Sequence, residues 1–357
     1  MKPIAAISLL AIFCASCHNG TKKNNSDDTG KMGLPTIDLS YKILKKIKIG
    51  GEGGWDYCAF DTVNRRLFIS HSTKVDVLDV DAEKVIGEIP NTPGVHGIAF
   101  DYELNKGYTS NGKDSSVTVF DLKSLKVLKK ITVTGSNPDC IIFDPFSKHI
   151  FTFNGKSNNT TVIDAQTDKV IATIALIGKP EFAISDMNGK VVVNLEDANK
   201  FAVIDSKADT MIYNWDLDTA LKEPSGLSFD LAYKCMFVGC GNKKMGMVPL
   251  NNFRARWMGP IGEHVDATAF NSKEGEAFAS CGDGTLSITK ELGQDTCCKP
   301  FVLTTQKGAR TMAIDERKDR VYLPVADFGP PAAAEPGKKP KPGVIPGTFS
   351  IIVVGRK

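Results

Sequence analysis

The chain has only 3 Trp and 5 His in 357 residues, and a formal net charge of +3. A charge this close to balance carries no argument for nucleic acid, which needs a basic face or stripe. The two histidines of interest, His71 and His96, stand in no compact zinc spacing, so Zn²⁺ is disfavoured and each reads equally as a hydrogen-bonded structural residue. Long hydrophobic runs are also lacking. The apolar run from Ile4 to Phe13 falls short of the roughly 20 residues that a membrane-spanning helix requires. Nor is there a disulfide framework: Cys58, Cys140, Cys235, Cys240, Cys281, Cys297 and Cys298 are odd in number and irregular in spacing. They read as small buried hydrophobes, with Cys240 and Cys281 left open as soft metal ligands or a strained bridge. What is present is 42% hydrophobic residues, 32 Gly and 18 Pro, which fits a globular, turn-rich protein and excludes disorder of the whole.

The N-terminus reads as an address. Lys2, the apolar run and the small residues after it form a signal segment over 1–17. Ala15-Ser16-Cys17 resembles the end of a bacterial lipobox, with Cys14 where Leu is usual, and makes Cys17 the expected lipidation site. Cys14 to His18 also spells C-x-x-C-H, a haem-attachment pattern, but it overlaps the segment that export removes. Residues 18–36 are polar and aperiodic and read as a tether. The expected location is the periplasm or outer membrane, lipid-anchored.

From residue 37 onward the chain repeats. An apolar residue followed by Asp recurs at Phe60-Asp61, Phe100-Asp101, Phe143-Asp144, Phe229-Asp230 and Ile314-Asp315, with Ser185-Asp186 and Phe270-Asn271 as degenerate copies. The spacings are 40, 43, 42, 44, 41 and 44 residues. A period of this size marks a unit that buries its apolar faces only against neighbours. Each unit carries alternating segments of strand type between turn residues, as in Arg66–Ser70, Lys74–Asp79 and Lys84–Ile89. Seven anchors with four strands each predict an all-β, seven-bladed β-propeller over 37–357. A second Asp recurs at Asp79, Asp121, Asp164 and Asp205 and reads as a turn residue. The last unit lacks its fourth strand, and Tyr41–Ile49 has the composition to supply it, so the N-terminal strand is expected to close the ring. A Pro-rich insertion, 329–347, joins two strands of that last blade and is expected to project from the mouth as a solvated loop, a lid or a partner arm.

Through Val162-Ile163-Asp164-Ala165-Gln166-Thr167-Asp168-Lys169-Val170-Ile171-Ala172-Thr173-Ile174 and its sister segments, the chain resembles the YVTN-repeat propellers, the YncE-like family. Units five and six depart from the pattern at Val248-Pro249 and Thr289-Lys290, which predicts irregular outer hairpins there.

In a propeller the innermost strands line a central channel, and their starts share one rim. Five residues before each anchor Asp stand Asp56, His96, Asp139, Glu181, Ser225, Asp266 and Arg310, all polar or ionisable. Ten residues after the anchor stand His71, Asn111, Asn154, Glu196, Cys240, Cys281 and Val325, read as a further layer of the same mouth. Converging carboxylates point to a hard cation, Ca²⁺ or Mg²⁺, with Asp139, Glu181 and Asp266 as its expected ligands. The reading is a cell-envelope binding or scaffold protein, expected to be a monomer, holding a small molecule or protein partner at the channel mouth. The alternative that the resemblance implies is a divalent-ion-assisted lyase or lactonase-like hydrolase, with His96 as base and Glu181 or Asp266 on the ion. Binding of single-stranded DNA, implied for some relatives, is disfavoured by the acid-rich rim. Three Trp are too few for the repeated Trp docking of quinone-cofactor propellers.

Overall fold

The computed structural model describes residue 37 and residues 39–331 and 342–356. The signal segment, Cys17, the tether and the tip of the Pro-rich insertion lie outside the described residues.

Each repeat folds as a four-stranded antiparallel sheet, and seven such sheets form a β-propeller. The first sheet pairs Trp55–Asp61, Arg66–His71, Lys74–Asp79 and Lys84–Ile89 in chain order, from the channel outward. The middle strands are buried on both faces, so the core is a set of clusters, each shared by two blades: Leu67 and Ile69 of the first blade pack with the last blade, and Phe68 between them packs with the second. In one of them Ala99, Tyr108, Val117 and Val119 of the second blade meet Ile141, Ile150 and Ile163 of the third. No blade could bury these faces alone, which is why the repeat is read as a ring.

The repeated Asp residues hold turns. Asp61 Oδ1 accepts from the backbone N–H of Val63 and Asn64, at 3.2 and 3.0 Å. Asp79 Oδ1 does the same for Asp81 and Ala82, at 2.9 and 2.8 Å. Where the second Asp is missing, the hairpin changes. In the sixth blade the third strand runs on from Thr285 to Gly293 and folds back through Thr296–Cys297 before the outer strand Phe301–Thr304. The outer strand of the fifth blade shortens to Trp257–Pro260.

Closure follows the expected route. Tyr41–Lys48 pairs antiparallel with Ser350–Arg356, completing a sheet whose inner strands are Ala313–Asp315 and Arg320–Val325. The seam is fixed by charge as well as by the ladder. Tyr41 donates to the fully buried Glu276 of the sixth blade at 2.7 Å, and Arg356 meets the other oxygen of that carboxylate at 2.7 Å. On the other side of the seam Arg65 bridges Asp81 and Asp315, at 2.5 and 2.8 Å.

All seven described cysteines are free and buried. Cys240 and Cys281 therefore form neither a bridge nor an exposed ligand pair; each thiol points back to the carbonyl two residues earlier, at 3.9 Å.

Candidate ligand site at the channel mouth

The innermost strands do not run straight into the mouth. In the first blade Trp55 pairs with His71, yet Cys58 pairs with Ile69, so one extra residue is inserted after Trp55. The same shift follows Val95, Pro138, Pro180, Pro224 and Val265 in the next five blades. A bulge takes residues off the ladder and re-aims their side chains. The residues it re-aims include Asp56, His96, Asp139, Glu181, Ser225 and Asp266, the ring that the spacing picked out.

Short polar side chains lock several of these bulges and stitch some blades to the next. Ser70 Oγ accepts from Asp56 N and donates to Tyr57 O, at 3.1 and 2.9 Å. Ser110 accepts from Gly97 N at 2.8 Å and donates to the carbonyl of Asp139. Asn194 accepts from Phe182 N and donates to Ser225 O, at 2.6 and 2.7 Å. Ser280 donates to Arg310 O at 2.5 Å, and Thr311 to Asp56 O at 2.6 Å.

Around the mouth the charged groups form an arc. Asp266 pairs with Arg310 at 2.5 Å, and Arg310 reaches Asp56 at 3.3 Å. Asp56 bonds His96 Nδ1 at 2.6 Å, and that nitrogen lies 3.6 Å from Asp139. Across the gap to the fourth blade, Lys179 holds Glu181 at 2.8 Å and Glu196 at 2.5 Å. The side chains of Asp56, His96, Asp139, Glu181 and Asp266 are 17–26% exposed, sheltered yet reachable. Ser225, 6% exposed, leaves the fifth blade as the uncharged gap. Beside Asp56, His96 and Arg310 opens a hollow of about 270 Å³, also lined by Trp55 and Lys113.

Below the ring, Tyr57 of the first blade reaches the carbonyl of Glu181 in the fourth at 3.3 Å, and its ring lies 5.5 Å from that of Phe182. The residues following the ring positions in the other five blades are Gly97, Cys140, Gly226, Ala267 and Thr311, all small. Two aromatics, in contact across the channel, stand among five small residues and floor the mouth. Gly226 has no room for a side chain: a Cβ there would stand 2.5 Å from the backbone nitrogen of Thr268.

Packing carboxylates together has its expected electrostatic consequence. Burial first, then the charges of Asp56 and Asp266, raise Asp139 to about 6. Burial, with the Asp139 charge added, raises Glu181 to about 7 against the pull of Lys179. Asp266 is raised by burial although Arg310 opposes it. For His96 burial acts downward, but the hydrogen bond to Asp56 and the surrounding carboxylates outweigh it and hold the imidazole above its usual range. The mouth thus favours positive charge.

The second layer is not part of this mouth. His71, Asn111, Asn154, Cys240, Cys281 and Val325 are at most 1% exposed. His71 bonds Asp76 at 2.7 Å, Asn111 bonds Ser116 and Thr118, and Asn154 bonds Asn159 and Thr161, each within its own hairpin. Strand alternation is the reason: the neighbour one residue earlier, Ser70 or Ser110, has the side facing the bulge. Glu196 escapes burial because the fourth blade is one residue shorter between its first two strands, so that Leu195 takes the buried place opposite Pro180. The sequence reading also missed Tyr57 and Phe182, which directly follow ring positions, and Lys179, two residues before Glu181.

The Pro-rich insertion begins as a short hairpin, Phe328–Pro331 against Pro342–Val344. Phe328 packs against Trp55, the residue before Asp56, with ring centroids 5.9 Å apart.

No family model matches the sequence, and neither does any curated protein. The fold is widespread among solved structures, 1815 chains of which match, so likeness alone selects no function. One of them is a chain of Kuenenia stuttgartiensis hydrazine synthase, 16% identical with a TM-score of 0.62, over 76% of this chain and 92% of that one. At that identity the similarity shows the fold alone: this chain is a seven-bladed β-propeller.

Proposed function

We propose that the protein is a ligand-binding propeller of the bacterial cell envelope, of YVTN-repeat type, tethered through lipidated Cys17 and holding a small cationic ligand in the cup at its channel mouth. The observation that carries the reading is the convergence of Asp56, Asp139, Glu181 and Asp266, each from a different blade, on a cup floored by Tyr57 and Phe182. Arg310 and Lys179 offset part of that charge and leave the rest for the ligand.

The test is calorimetric titration with Ca²⁺, Mg²⁺ and a panel of small amines on the native protein and on Asp139→Asn/Glu181→Gln. These substitutions remove charge at constant volume. At least one ligand should bind the native protein and bind the variant about tenfold or more weakly, about 1.4 kcal/mol. Its affinity for the native protein should rise as pH rises through the range from about 6 to about 7, where Asp139 and Glu181 lose their protons. No heat and no melting shift with any ligand, together with a more stable variant, would reduce the mouth to a solvated rim.

A second reading has one observation in its favour. His96 is oriented by Asp56 at 2.6 Å, the arrangement of a general base, which suits elimination or hydrolysis beside a divalent ion.

A further inference from the structure

The ligand set expected for a hard cation, Asp139, Glu181 and Asp266, is not the set that the fold leaves available. Lys179 takes Glu181 at 2.8 Å and Arg310 takes Asp266 at 2.5 Å, so both carboxylates have cationic partners from the protein itself. Asp139 has only the shared imidazole of His96, 3.6 Å away. A different trio closes up instead: Asp56, His96 and Asp139 each offer one ligand atom, and the three atoms lie within 4.8 Å of one another.

Resting on the reading of the mouth as a ligand site, we infer that Asp56, His96 and Asp139 form a site for a divalent transition metal of the Mn²⁺–Zn²⁺ series rather than for Ca²⁺ or Mg²⁺. The donor chemistry selects the ion. Calcium and magnesium prefer all-oxygen surroundings, whereas one imidazole nitrogen with two carboxylates suits the first-row transition ions. The charges match once the ion displaces the imidazole proton, since two carboxylates and a neutral imidazole balance a dication. Positions are fixed before any ion arrives, because the three residues come from adjacent blades and the backbone beside them is held by Ser70, Ser110 and Thr311. Behind the trio, Arg310 holds the second oxygen of Asp56 at 3.3 Å, which turns Oδ2 toward His96. Groups that orient ligands in this way are a regular part of metal sites. Beside Asp56 and His96, the hollow of about 270 Å³ leaves room for water or a small molecule next to the ion. An open site of this kind holds an exchangeable or reactive ion.

Cobalt reports directly on such a site through its visible absorption. The full chain would be titrated with Co²⁺ beside His96→Gln and His264→Gln, the latter removing an exposed histidine outside the trio. Native protein should develop the weak visible bands of nitrogen and oxygen ligation. His96→Gln should abolish them or weaken binding by at least about tenfold, while His264→Gln should retain them. Mn²⁺ or Zn²⁺ should compete the cobalt away, and Ca²⁺ in the same range should not. Bands that survive in His96→Gln, or vanish in His264→Gln, place the ion elsewhere and overturn the assignment. Absence of bands overturns it too. If Ca²⁺ or an amine still binds calorimetrically in that case, the cup stands as a ligand site and only the transition-metal trio falls.

Discussion

At the level of single residues, position along the repeat is informative only where the backbone is regular. The ring of Asp56, His96, Asp139, Glu181, Ser225, Asp266 and Arg310 was legible because seven equivalent places in one repeat were all polar. The buried fate of His71, Asn111 and Asn154 was not legible: a bulge in the inner strand changes which side chains face the mouth, and no residue type announces it. One residue was overlooked altogether. Glu291 has an oxygen buried without a hydrogen-bond partner, and burial, with the Asp230 charge added, raises it to about 8. Because the folded state holds this proton more tightly than the unfolded chain, its stabilising contribution is complete below the unfolded value of roughly 4.3. It declines as pH rises and is lost once pH has passed the folded value of about 8. Replacing Glu291→Gln should therefore raise the melting temperature near neutral pH and flatten its fall between pH 5 and 8; an unchanged slope in thermal melts across that range would contradict the assignment. Gly226 supplies a steric counterpart. Its absent Cβ would meet the next blade's backbone at 2.5 Å, so Gly226→Ala should cost about 1–3 kcal/mol in urea unfolding. A neutral result would mean that the two inner strands can separate freely.

Among the elements, the strand order of every blade was readable from the Asp-anchored period, and so was the borrowed strand Tyr41–Lys48. Compositional reading could not show what fastens that strand. Glu276 sits 235 residues from Tyr41 and 80 from Arg356 along the chain, yet its fully buried carboxylate joins both. Glu276→Ala leaves a phenol and a guanidinium short of their partner and should cost about 2 kcal/mol. Because the seam opens first, hydrogen exchange should accelerate most in 41–48 and 350–356; uniform acceleration around the ring would argue against a local fastening. The outer hairpins of the fifth and sixth blades were flagged by the loss of the turn Asp, and the sixth answers with a prolonged third strand. Sequence pattern predicts where a hairpin becomes irregular, but the path it takes depends on neighbouring packing.

Taken as a whole molecule, the propeller is a closed ring with Tyr57 and Phe182 in contact across its channel beneath the ring of polar side chains. Lipidation at Cys17 would hold the cup near a membrane surface on the 18–36 tether. Cys17→Ala should then move the protein from the membrane fraction to the soluble fraction with an unchanged melting temperature; a variant that still pellets and carries no lipid would remove the anchor. The central claim concerns the cup and is tested most directly by a crystal structure of the full chain, purified without chelator. The account predicts density other than water bonded to at least two of Asp56, His96, Asp139 and Glu181, above the Tyr57–Phe182 floor. A cup holding ordered water alone, with its carboxylates satisfied by Lys179, Arg310 and solvent, would contradict it.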